Sequence, residues 1–278
     1  MGNLKAISLH IGLNSINPDH YCGSDGSLIA CENDANDMAS IARNLNYNDV
    51  NVLLTKNATR DNVISRIKNI ASNLEKGDYF LLTYSGHGGQ IPDTNGDEAD
   101  FLDETWCLYD GQLIDDELFN LWCEFKDGVR IFVVSDSCNS GTITKLMFLS
   151  GMPPQNTING FKVKYLPRKI TEKAYENNKA FYDNILQNLK YKENESEVPA
   201  AVRLFAAALD GKPAQDGDKN GLFTQNLLAI WDNGTFTGNY IEFFNSIRNN
   251  MNKSEQIPET NLIGKSNPDF DNQRPFSK

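Results

Sequence analysis

Two short stretches carry residue types that together could perform acyl transfer: "YSGHGG" around His87 and "SDSCNSGT" around Cys138, 51 positions later. A cysteine can attack a carbonyl, but a model thiol is only roughly 3% ionised at neutral pH, so it needs a base beside it. An imidazole can take that proton and return it to a leaving amine. The glycines beside His87 let a substrate backbone approach, and the N–H groups of Gly88 and Cys138 could hold a developing oxyanion. Taken alone, Cys138 reads as one more buried thiol. What makes it a candidate nucleophile is that both stretches directly follow an apolar run. Of the other two histidines, His10 falls inside a strand pattern and His20 in a loop.

Those runs are "DYFLLTY" before His87 and "VRIFVVS" before Cys138, and similar ones lie near Leu4, Val50 and Val202. They are nearly continuous rather than alternating, the pattern of strands covered on both faces. Helix patterns lie between them, over 31–45, 115–125, 222–232 and 240–251, and in "TRDNVISRIKNIASNLEKG", where Thr59 can cap the start and Gly77 the end. Alternating strands and helices give an α/β class with a mostly parallel central sheet between helical layers. Loops at the carboxyl ends of such strands form the site, and both stretches are such loops. The segment at about 144–199 breaks the rhythm, with a further helix over 174–189. It is expected as a basic insertion or mobile loop on a single domain spanning 1–278.

The chain's 278 residues, 40% of them hydrophobic, are enough for a packed core. Its net charge of -11 argues against a nucleic-acid partner, whose phosphates need a basic face. The charge is uneven: residues 93–117 hold ten acids and no base, while 161–192 hold eight Lys or Arg against three acids. Five cysteines without paired metal-ligand spacing suit a reducing compartment. The start "MGNLKAISLHIGLN" is too short in apolar residues for a leader, and no run reaches 18 apolar residues. A cytoplasmic protein with no membrane partner is expected; the oligomeric state is not legible.

The pairing of "YSGHGG" with "SDSCNSGT", and "CENDANDM" upstream, resembles the caspase-like cysteine peptidases of the metacaspase and orthocaspase type. The resemblance implies a caspase-like three-layer sandwich and an endopeptidase cutting after Arg or Lys through a Cys138–His87 dyad. It also implies a pocket for the basic side chain built from Cys31, Asp34, Ser85 and Asp136. Two buried carboxylates call for a cation, which agrees with that role. Asp34 could instead cap a helix, and Asp136 could brace a turn. Asn139 stands where metacaspases usually have histidine.

Some members of the family bind calcium, and the matching residues here are Asp103, Asp115 and Asp116. Lys145 occupies the place of a fourth aspartate, where an ammonium does the neutralising an ion would do, so no cofactor is required. Two further stretches imitate calcium loops. "DTNGDEADFLDE" has Glu98 where glycine belongs, and "DGDKNGLFTQNL" has Leu227 where the bidentate glutamate belongs, which makes the latter a turn feeding a helix. The expected partner is a protein or peptide with Arg or Lys before the cut. The basic segment after the nucleophile is expected to be an internal substrate or a plug for the acidic groove. The competing reading is a caspase-like scaffold with an unused dyad, or a calcium-sensing binding protein.

Overall fold

Each of the five apolar runs forms a strand, and the helix patterns fall between them. In the computed structural model the described residues are 4–93, 101–138, 157–158, 161–190, 198–209 and 212–278. The strands are β1 (Ala6–Gly12), β2 (Asp49–Leu54), β3 (Tyr79–Ser85), β4 (Gly88–Pro92), β5 (Leu102–Leu108), β6 (Gly111–Ile114), β7 (Arg130–Asp136), β8 (Thr157–Ile158), β9 (Phe161–Lys162), β10 (Ala201–Ala206) and β11 (Glu259–Gly264). The helices are α1 (Cys31–Asn44), α2 (Arg60–Asn73), α3 (Asp115–Trp122), α4 (Arg168–Asn177), α5 (Lys179–Gln187), α6 (Leu222–Trp231), α7 (Tyr240–Asn250) and the short α8 (Pro268–Asn272). Thr59 caps α2 by accepting from the Asn62 N–H at 3.2 Å.

The main sheet runs β11-β10-β7-β3-β1-β2, parallel except for β11, which pairs antiparallel with β10. Strands β1, β3 and β7 are buried along their whole length because they are covered on both faces. Side chains alternate between the faces. Leu9, Ile11, Phe80 and Leu82 join a core with Val63, Ile67 and Ile70 of α2 and Phe119 and Trp122 of α3. Tyr79, Leu81, Phe132 and Val134 join the opposite core with Met38 of α1, Phe223 of α6 and Phe243 and Ile247 of α7. Each such aliphatic or aromatic burial contributes about 1.5–3 kcal/mol before chain entropy is counted. The result is the α/β three-layer sandwich the sequence pattern implies.

Three features depart from the sequence reading. The acidic stretch, for which no strands were expected, contributes β5 and β6 to a three-stranded antiparallel sheet β4-β5-β6 that buries Trp106, Leu108 and Leu113. The edge strand β11 gives no clear apolar run, since its side chains are largely half-buried or exposed. The helix expected over 174–189 is two helices, α4 and α5, broken at Asn178. Asparagine is a poor helix former whose side chain competes for backbone groups, and Asn178 bonds the Ala174 carbonyl. Of the expected insertion or mobile loop, residues 161–190 pack against both sheets, with Lys164, Leu166, Thr171 and Tyr182 fully buried. No described helix is long and apolar enough to cross a membrane.

Candidate active site

Strands β3 and β7 are parallel neighbours in register, with Ser85 opposite Asp136. The loops leaving their carboxyl ends therefore start side by side, which places His87 and Cys138 at one edge of the sheet. The backbones touch: a methyl group added at Gly88 would overlap the Cys138 carbonyl oxygen, so this position needs glycine for close approach.

The His87 ring is anchored by its Nε2, 3.0 Å from the Gly26 carbonyl oxygen. A carbonyl can only accept, so Nε2 carries the proton and Nδ1 has its lone pair free. Nδ1 is buried and has no hydrogen-bond partner among the described residues. Burial holds the imidazole down at about 4 against the opposing pull of the Gly26 bond. The Cys138 sulfur accepts the Ala214 N–H at 2.8 Å and lies 3.6 Å from the Ala214 carbonyl oxygen, its S–H acceptor. Burial pushes this thiol up to about 12, with the Ala214 bonds opposing. Both groups are thus neutral near pH 7, and no hydrogen bond joins the ring to the sulfur among the described residues.

The groove between them is filled by the chain itself. Past β9, Val163 bridges Gln215 in antiparallel fashion, and the Asp216 N–H donates to the Lys162 carbonyl at 2.8 Å. The Lys164 N–H donates to Ala214 at 2.8 Å. The Lys164 carbonyl oxygen then accepts from both Gly88 N–H (3.0 Å) and Cys138 N–H (3.1 Å), the two donors expected to hold an oxyanion. Its side chain is 0% exposed and reaches Asp34 Oδ2 at 2.9 Å, Ser85 Oγ at 2.9 Å and, as an ion pair, Asp136 Oδ1 at 3.1 Å.

This cluster places one cation between two carboxylates. Burial opposes the charge on Lys164, but the Asp136 and Asp34 carboxylates outweigh it and hold the ammonium well above the ordinary lysine range. Burial raises Asp34 to about 6, with Lys164 pulling the other way. Cys31, fully buried at the start of α1, lies against the cluster, and burial raises its thiol far above the ordinary range. Asp34 does not cap its own helix, α1, but both aspartates bond the start of α6. Asp34 accepts from Ser85 and from the Gly221 N–H, and Asp136 accepts from the Thr224 N–H (3.1 Å) and Oγ (2.6 Å). Gly221 and Thr224 are the N-cap and first turn of α6, whose dipole favours negative charge there.

Sequence reasoning missed Gly26, Gly221 and Thr224, and named only the segment to which Lys164 belongs. Gly26 acts through a backbone carbonyl, which no residue type betrays. Gly221 and Thr224 left a faint signal in "DGDKNGLFTQNL", a glycine with threonine three positions on at a helix start. Of that stretch, Asp216 accepts from the Ile29 and Ala30 N–H groups.

The calcium candidates lie on β5 and at the start of α3. Asp103 and Asp116 are buried, and Asp115 accepts from the Glu104 and Asp116 N–H groups. Among the described residues no three His, Cys, Asp or Glu side chains are grouped to hold a metal ion. Lys145, Asn139, Asn95, Asp97 and Glu98 lie outside the described residues. His10 bonds Thr83 within the sheet and His20 bonds Tyr182, so neither enters the groove.

Comparison with known proteins bears on the family and the fold. A family model described as the caspase domain matches residues 15–272. Metacaspase-1 of Saccharomyces cerevisiae is 34% identical over 161 residues, which covers 53% of this chain and 35% of that protein. Metacaspase-1A of Aspergillus clavatus is 32% identical over 159 residues, covering 52% of this chain and 36% of that protein. The chain thus matches about a third of the length of these relatives. A crystal structure of a Geobacter sulfurreducens protein superposes with a TM-score of 0.88 at 43% identity, covering 98% of each chain.

Proposed function

Because the chain belongs to the caspase-domain family of cysteine-type peptidases, we propose that it is an endopeptidase that cuts after Lys or Arg and that its first substrate is its own Lys164–Tyr165 bond. The observation that carries this is Lys164 itself: its ammonium sits between Asp34 and Asp136 while its carbonyl rests on two convergent N–H groups. A stray surface lysine has no reason to satisfy both ends at once.

In the proposed reaction the Cys138 sulfur attacks the Lys164 carbonyl carbon as His87 Nδ1 takes the thiol proton. The oxygen's new negative charge is held by the Gly88 and Cys138 N–H groups, each such donor typically lowering the barrier by about 3 kcal/mol. The tetrahedral centre collapses, the C–N bond breaks, and His87 gives its proton to the Tyr165 nitrogen. Water, with His87 as base, then hydrolyses the thioester and returns the thiol. Until that cut the segment is also a plug, since it occupies the groove and covers the sulfur. No cofactor is needed for these steps.

The direct test uses fluorogenic peptides ending in Lys, Arg or Asp. Release after Lys and Arg, with none after Asp, is expected; turnover after Asp would contradict a carboxylate-lined pocket.

The pH dependence should carry the signature of Asp34. A carboxyl at about 6 with Lys164 in place is deprotonated above that pH and takes a proton below it. Burial raises that value and Lys164 lowers it, and both causes weaken together when the lysine leaves. The kcat/KM for Lys peptides should therefore fall as pH drops through about 6, while His87, held at about 4 by burial, stays a neutral base there. A limb near 4 instead would assign the loss to the histidine.

Gly221 forms the remaining wall of the pocket. A methyl group there would run into the Lys164 ammonium and the Asp136 carboxylate. Its backbone, at φ -57 and ψ 149, accepts alanine without strain. Gly221→Ala should thus keep the fold, as read by an unchanged circular-dichroism spectrum, lower the melting temperature of the intact chain by a few degrees, and lose about 10- to 100-fold in kcat/KM for basic peptides through overpacking.

A second reading, the scaffold with an unused dyad, has one observation in its favour: the sulfur bonds Ala214 and not His87. Alkylation separates the two. In intact protein iodoacetamide should modify the exposed Cys22 and spare the buried Cys138. After self-cleavage Cys138 should react as well; continued protection would favour the scaffold.

A further inference from the structure

The self-bound segment is paired with the groove on both sides of the scissile bond. Before the cut, the Asp216 N–H holds the Lys162 carbonyl and the Lys164 N–H reaches Ala214. After it, Tyr165 bridges Gly88 in parallel, and the Leu166 N–H donates to the Gly88 carbonyl at 2.9 Å. This is strand addition, in which the main chain gives affinity and alternate side-chain pockets give selectivity.

The side chains are held very unequally. Val163, next before the lysine, is 1% exposed, and Tyr165, next after it, is 2% exposed in the apolar cluster that contains Cys138, Ala214 and Phe223. Lys162, two before the cut residue, reaches out to the carbonyl and hydroxyl of Ser27 on the surface. Phe161 is 47% exposed at the mouth of a cavity of about 820 Å3 lined in part by Leu222, Asn250 and Met251. Two positions are enclosed and two are open.

We infer that the internal strand is a template for the enzyme's substrates in trans: the groove selects an apolar residue immediately before the basic one and an aromatic residue immediately after it, and tolerates change at the two outer positions. A charged side chain at either enclosed position must be desolvated without a partner, whereas at the open positions it stays in water. The inference rests on the endopeptidase reading above.

The test uses internally quenched peptides built on Phe-Lys-Val-Lys-Tyr-Leu and the self-processed wild-type protein. Changing the residue equivalent to Val163 or to Tyr165 into Asp should each lower kcat/KM at least about tenfold. Changing those equivalent to Phe161 or Lys162 into Ala should alter it less than about threefold. Equal cleavage of all five peptides overturns this inference and leaves the peptidase reading standing. No cleavage of any of them, the parent included, overturns both.

Discussion

Purified wild-type protein should convert from one chain into two, residues 1–164 and 165–278, and a Cys138→Ala protein should stay whole. The expected difference in turnover is on the order of 10⁶-fold, the scale on which removal of a nucleophile acts in a peptidase. Alanine removes the sulfur and leaves both N–H groups that hold the Lys164 carbonyl, so the segment remains docked and the fold is preserved. Intact-mass spectrometry reads the result without any added substrate, starting from a 31.1 kDa chain. Identical splitting in the two proteins would mean that a contaminating protease cut the bond. A whole wild-type chain that still hydrolyses Lys peptides would leave the segment a plug and not a substrate.

The second large effect is expected from Asp136→Asn. The change in size is minimal, but the hydrogen-bonding consequence is severe. Thr224 presents two donors, N–H and Oγ–H, to one oxygen of Asp136, while the other oxygen faces the ammonium at 3.1 Å. An asparagine that keeps its oxygen toward Thr224 must point its NH₂ at the ammonium, donor against donor. Turned over, it opposes Thr224 instead. Losing one partner of a buried charge pair typically costs 2–5 kcal/mol, so kcat/KM for Lys peptides should drop on the order of 10²- to 10³-fold. Steady-state kinetics on Lys peptides checks this, and a loss smaller than about threefold would remove Asp136 from recognition of the basic residue. Self-cleavage at Lys164 should slow in parallel, because the same pocket holds both.

The sequence reveals the chemistry of this site more readily than its occupancy. His87 and Cys138 stand at the ends of continuous apolar runs, and a fully buried parallel strand has no other way to appear in sequence. Asp34 and Ser85 are legible as pocket residues through family resemblance, and the packing explains them by placing a lysine there. Strands β4 to β6 escaped notice because β4 and β6 are short and begin with glycine, and β5 carries the acid pair Asp103 and Glu104 within an acid-rich stretch. Strand β11 escaped for a related reason: an edge strand with one open side carries little apolar signal. Lys164 was hidden by distance. It lies 26 positions beyond Cys138 in the chain and its backbone bonds Gly88, Cys138 and Ala214, so its placement is fixed by contacts across three loops. Gly26 illustrates the firmest limit: its φ of +52 and the closeness of Ile16 and the His87 ring call for glycine, but a glycine in a loop does not say which donor its carbonyl will meet.

The place of β10 in the sheet has a consequence for what proteolysis can accomplish here. This strand belongs to the downstream piece, yet it is inserted between β7 and β11, and the same piece supplies Gly221 and Thr224 to the carboxylates of the upstream one. The proposed scission at Lys164 would therefore alter connectivity without separating the parts. Its product would be an interlocked heterodimer whose halves are each incomplete, so fragments expressed from two separate genes would have to find one another before either could act, and the nick would work as a latch being lifted and not as a piece being discarded.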